Sequence, residues 1–108
     1  MAKYMLIESR DPFTSNEVAR NYTLAAGLAA SGNDVTVFLV QNGVLPARAG
    51  TKADGLSTLS AAGVTVLADS FSLRERAIAG DLLAEGVAAA ELDVVVDALA
   101  DGVKTIWN

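Results

Sequence analysis

With 108 residues, 52% of them apolar and 19% charged, the chain has the size of one ordinary domain and enough nonpolar surface to offset its chain entropy. A formal net charge of −5 and the lack of a Lys/Arg cluster work against a nucleic-acid backbone as partner. Cysteine and histidine are both absent, which removes disulfides, thiolate nucleophiles, Cys/His zinc sites and imidazole acid–base catalysis. Carboxylates, hydroxyls, Lys, Arg and backbone amides are what remain, and neither a cofactor nor a metal is expected of them.

The first apolar run, Tyr4-Met5-Leu6-Ile7, lacks alternation and reads as a strand covered on both faces, the first and central one of a sheet. Asp11-Pro12-Phe13 breaks the pattern, and Thr14 with Glu17 has the spacing of a capping box that opens a helix. Val18, Tyr22, Ala25 and Ala29 fall on one face of that helix, and Ser31-Gly32-Asn33 stops it. The β-branched run at residues 35–40 is a second buried strand, so the two strands and the helix between them make a parallel βαβ unit. Gln41-Asn42-Gly43-Val44 turns the chain, and residues 46–55 read as an exposed loop. Leu56, Leu59 and Ser60 mark a short helix ending before Gly63, and residues 64–67 form the third strand.

Ser72 and Glu75 repeat the capping-box spacing, predicting a helix from Ser72 through Leu73 and Ile78, with Gly80-Asp81 and Gly86 as punctuation. Leu92, Val95, Val96 and Leu99 make an amphipathic helix, and residues 103–107 close the chain as a strand. The expected order is β-α-β-α-β-α-α-β. This is an α/β chain, one domain over residues 1–108, with a mostly parallel sheet between helices on both faces. The apolar runs fall short of the roughly 20 residues of a membrane-spanning helix, and residues 1–10 enter a strand pattern directly; a soluble cytoplasmic protein is the expectation.

Ligands of open parallel sheets bind beyond the carboxyl ends of the strands, here residues 8–14, 41–48 and 69–76, which should converge on one edge. No GxGxxG or P-loop occurs there, so neither a dinucleotide nor a nucleoside triphosphate is indicated. The candidate ligand-binding residues are Ser9, Arg10, Asn42, Gly43, Asp69, Ser70, Ser72, Arg74 and Arg76, with no catalytic or metal-binding residue among them. Asp69 and Ser70 offer a carboxylate base and a polar contact, against the simpler reading that they start the next helix. Arg74 and Arg76 offer an anion clamp, against the simpler reading of solvated or ion-paired surface arginines. Asn42-Gly43 offers amides to a ligand or merely a tight turn. Glu8, Arg10 and Asp11 read as a solvated charged group rather than a Glu–Arg pair across the cleft, Tyr22 and Phe71 as packing residues rather than a ligand-stacking platform, and Trp107 as an anchor of the last strand or of an interface.

The strand and turn at residues 37–44, following the helix end at Gly32, resemble the DsrE/DsrF-like sulfur-relay family, in which a strand runs into a comparable Gly-Val turn. Residues 63–78 resemble that family's second signature, a strand, a cysteine-bearing turn and an Arg–Gly pair, and the ending Lys104-Thr105-Ile106-Trp107 is also similar. The resemblance implies a small α/β domain that assembles into homo- or hetero-oligomers, commonly trimers or hexamers. It also implies a cysteine after the third strand that carries a persulfide to a partner. That cysteine position falls at or beside Asp69 and the family glycine at Ala77, so the chain departs from the pattern at the decisive residue. A carboxylate cannot form a persulfide, and persulfide transfer by this chain alone is chemically excluded. Three readings follow: a non-catalytic subunit or binding module working beside Cys-bearing DsrE-like paralogues, a small-metabolite protein or enzyme with a remodelled Asp/Ser/Arg site, or a structural homo-oligomer.

Overall fold

Strands buried on both faces can be linked in parallel only by crossovers, and the chain alternates strand and helix throughout. The computed structural model describes residues 2–13, 15–48, 55–79 and 83–107. In chain order they form β1 (Lys3–Glu8), α1 (Glu17–Ala30), β2 (Asp34–Leu39), a 3-10 segment (Gln41–Ala47), α2 (Gly55–Ala61), β3 (Thr65–Asp69), α3 (Ser70–Glu75), β4 (Val87–Ala90), α4 (Asp93–Ala100) and β5 (Lys104–Trp107). The sheet among the described residues has five strands in the order β4-β3-β2-β1-β5, every neighbouring pair parallel. Register is set by pairs such as Leu6 with Val37, Val37 with Val66 and Val66 with Val87.

The side-chain period of two sends alternate strand residues to two separate cores. Leu6, Val37, Leu39, Val66 and Ala68 pack on one face with Ala25 of α1, Leu56 and Leu59 of α2 and Leu73 of α3. Met5, Ile7, Phe38 and Val40 pack on the other with Val95 and Ala98 of α4. The layering follows from strand order. Three connections step from β1 to β4 in one direction and carry their helices to one face, whereas the return from β4 to β5 reverses direction and carries α4 to the other. The result is the expected three-layer α/β sandwich.

Several expectations need correction. The central strand is β2, and β1 lies between β2 and β5. A strand, β4, stands where two successive helices were expected: Val87-Ala88-Ala89-Ala90 holds one β-branched residue, and pairing with β3 overrides that weak preference. The expected exposed loop at 46–55 is in part a 3-10 segment with Pro46 and Ala47 buried; residues 49–54 lie outside the described ones. Helix α3 starts at Ser70, two residues before the expected Ser72, and ends at Glu75. Its cap is Asp69, whose carboxylate accepts the Ser72 amide, so the expected Ser72/Glu75 pairing is displaced. Of the other expected capping box, Thr14 lies outside the described residues, and the Glu17 carboxylate binds Arg10 at 3.0 Å. Phe71 is 52% exposed rather than packed.

Candidate functional site

The carboxyl edge of the sheet gathers the ends of β1, β2 and β3 through backbone contacts as well as side chains. The Val40 amide donates to the Glu8 carbonyl at 3.0 Å, and the Gly43 amide donates to the Val40 carbonyl at 2.9 Å. A Cβ on Gly43 would collide with the Glu8 carbonyl, so glycine is required where the turn crosses the end of β1. Gly43 therefore acts through the absence of a side chain.

Asp69 is buried at the end of β3, and its Oδ2 accepts both the Ser72 amide at 3.0 Å and the Ser72 hydroxyl at 2.7 Å. Ser72 Oγ in turn accepts the Gln41 amide at 2.8 Å. This relay, Gln41 N–H to Ser72 Oγ–H to Asp69 Oδ2, ties the turn after β2 to the turn after β3. Arg76 makes a second tie: its Nε and Nη2 donate to Asn42 Oδ1 at 3.2 and 3.0 Å, and its Nη1 donates to the Ser72 carbonyl at 3.2 Å. Asn42, Gly43, Asp69, Ser72 and Arg76 are thus brought together, mostly by contacts among themselves.

The remaining candidates lie apart. Arg10 is exposed and pairs with Glu17 at 3.0 Å, and Ser9 is half-buried beside it in the chain. Ser70 Oγ donates to the Ala90 carbonyl at 3.1 Å, across the gap between the ends of β3 and β4. Arg74 is exposed on the outer side of α3, and together with Ser70 it lines a separate cleft against β4.

One polar group escaped the sequence reading. Glu8 is 1% exposed, not solvated, and its carboxylate accepts the Arg10 amide and the Asn21 Nδ2, each at 3.1 Å. Burial first, and the negative charge of Glu8 second, push ionisation of the Tyr22 phenol far above its ordinary range. The Tyr22 hydroxyl is buried and has no hydrogen-bond partner among the described residues. The signal for Glu8 was its place at the end of a strand buried on both faces, where a charged side chain is held by bonds rather than by water.

Residues 2–107 match the DsrE/DsrF-like family. The chain belongs to that family. No curated protein sequence matches significantly. Among solved structures, the chain is similar to the ychN protein of E. coli, with a TM-score of 0.89, 22% identity and 100% of each chain covered. It is also similar to MTH1491 of Methanobacterium thermoautotrophicum, a protein of unknown function, with a TM-score of 0.77, 25% identity, and 97% of this chain and 96% of that one covered. BT1422 of Bacteroides thetaiotaomicron, likewise of unknown function, gives a TM-score of 0.75 at 15% identity over 98% and 95% of the two chains. Ala77, which the resemblance places at the family glycine, has φ of +55°, a conformation that glycine adopts without strain.

Proposed function

We propose that this chain is a cysteine-less DsrE-like subunit or binding module of a sulfur-relay-type system in the cytoplasm, which works beside Cys-bearing paralogues and carries no persulfide itself. The observation that carries this reading is the state of Asp69. At or beside the position that the resemblance gives to the sulfur-carrying cysteine stands a carboxylate that is 6% exposed and bonded through one oxygen to both the amide and the hydroxyl of Ser72. Its chemistry is consumed by capping α3 and anchoring Gln41, which leaves neither a nucleophile nor an exposed base. The family fold is kept, the reactive group is replaced by a structural one, and a role in assembly is what such a chain retains.

The test is reconstitution with a Cys-bearing DsrE-like paralogue. Alone, the chain should take up no sulfane sulfur from thiosulfate or a persulfide donor, as read by mass spectrometry. Mixed with the paralogue, it should elute in one complex whose sulfur sits on the paralogue's cysteine. Sulfur turnover by the isolated chain, or separate elution at every mixing ratio, would overturn the reading.

A further inference from the structure

In a doubly wound sheet a crevice opens where neighbouring strands send their connections to opposite faces. Here that place lies between β3, whose following helix α3 belongs to the first core, and β4, whose following helix α4 belongs to the second. On the α3 side it holds a half-open cleft of about 170 Å³ lined by Ser70, Leu73, Arg74, Ile78 and Ala89. Ala89 pairs in register with Ala68, and its small side chain leaves the space unfilled.

The chemistry of the lining is uneven. Leu73 and Ile78 are buried and apolar, and they form the floor. The Arg74 guanidinium has no ion pair or hydrogen bond among the described residues, whereas Arg10 is held by Glu17, and Arg76 by Asn42 with Glu75 at 3.9 Å. A guanidinium with no partner among the described residues, beside an apolar floor, favours an anion over a cation, and the chain's net charge of −5, which opposes any anion, makes a nonpolar body necessary beside the charge. Ser70 refines this. Its proton is committed to the Ala90 carbonyl, so it turns lone pairs toward the cleft and repels a carboxylate placed against it. The anion is thereby directed to Arg74.

We propose that the cleft between α3 and β4 binds a small organic carboxylate, its charge on Arg74 and its apolar body on Leu73, Ile78 and Ala89. A volume of this order accommodates roughly six non-hydrogen atoms of nonpolar body. The site goes beyond the subunit reading and does not depend on it, since neither Asp69 nor a paralogue takes part.

The experiment is an NMR titration of the full chain with pentanoate, following the methyl groups of Leu73, Ile78 and Ala89 and the Arg74 Nε–H. Pentylamine, with the same body and opposite charge, and acetate, with the same anion and almost no body, are the comparators. Pentanoate should shift these signals saturably in the millimolar range and bind at least about tenfold more tightly than either comparator. Arg74→Gln, at an exposed position, should weaken pentanoate binding about tenfold with an otherwise unchanged spectrum, and Ala89→Val should reduce it by filling the cleft. Pentanoate shifts that do not saturate, comparators that bind equally, or an Arg74→Gln variant that binds as well as the parent would each overturn the proposal. Assembly of Arg74→Gln with a paralogue should be unchanged, so the failure of one reading is distinguishable from failure of the other.

Discussion

Tyr22 is the residue at which local chemistry and the fold disagree most. Its ring packs on the first core, and a Cβ on Gly55 would lie 2.7 Å from it, yet its hydroxyl is buried with no partner among the described residues. An unpaired buried hydroxyl costs about 1–3 kcal/mol. Tyr22→Phe keeps the ring and removes that cost, so the variant should unfold at higher urea concentration than the parent at neutral pH, by about 1 kcal/mol. The pH dependence has a definite sign. In the unfolded chain the phenol ionises near 10.0, whereas in the folded chain burial and the Glu8 charge hold it protonated to higher pH. Stability from this group is complete below pH 10 and falls as pH rises beyond it, and Tyr22→Phe should lose less in that window. Equal slopes in the two proteins above pH 10 would refute the coupling. Asp69 and Glu8 show what a sequence conveys at this scale. Asp69 was legible as either a site carboxylate or a helix start, and its bonds to Ser72 show it starting the helix. Glu8 was misread because a charged residue near a strand end is ordinarily solvated, and the 14-residue helix that brings Asn21 to it is a tertiary fact.

The four described α-helices end alike. In each, the last turn closes with a bond from the residue after the stop to a carbonyl five positions back: Asn33 to Leu28, Val64 to Leu59, Ile78 to Leu73 and Val103 to Ala98. The residue at the stop has positive φ in all of them, Gly32, Gly63 and Gly102 at three ends and Ala77 at the end of α3. Ala77 bears a strain of about 1–2 kcal/mol that glycine would not, offset in part by the greater freedom of glycine in the unfolded chain. Ala77→Gly should therefore stabilise the protein by about 0.5–1 kcal/mol in chemical denaturation, and a variant less stable than the parent would show that the turn is not held in this conformation. The same elements explain which parts of the fold were readable. Helices closed by glycine and strands rich in Val, Ile and Leu announce themselves, because propensity and burial agree. Strand β4 does not, since three alanines next to one valine carry little preference and only pairing with β3 makes them a strand. The early start of α3 was hidden for a related reason: Asp69 and Ser72 form the cap at the same spacing that Ser72 and Glu75 display in sequence, and the tie to Gln41 selects the first pair.

At the scale of the molecule the two faces of the sheet are covered unequally. One carries α1, α2, α3 and the 3-10 segment, whereas α4, eight residues long, is the helix that packs on the second core. Its inner side supplies Val95 and Ala98, and its outer side is apolar too: Leu92, Val96 and Leu99 are 53%, 62% and 59% exposed. Ile106 and Trp107 of the neighbouring edge strand are also exposed, Trp107 at 64%. Although Asp93 and Asp97 also lie on this helix, an exposed apolar stripe of that kind marks a contact surface, and burying each of those side chains contributes about 1–2 kcal/mol. A second copy is the expected partner, since the resemblance implies oligomers, and a contact repeated around a threefold axis would bury the stripe of every copy at once. The chain should accordingly run in light scattering at a multiple of 11.1 kDa, the trimer or hexamer of its family being the expected assembly. Val96→Glu with Leu99→Glu places charges on the outer side of α4 without touching Val95 or Ala98, and it should yield a folded species of lower mass with an unchanged far-UV spectrum. A parent chain that scatters as an 11.1 kDa monomer from micromolar to millimolar concentration would exclude self-assembly. An oligomer that survives both substitutions would move the contact to the sheet edge at Ile106 and Trp107, where mixed assembly with a paralogue would compete with it.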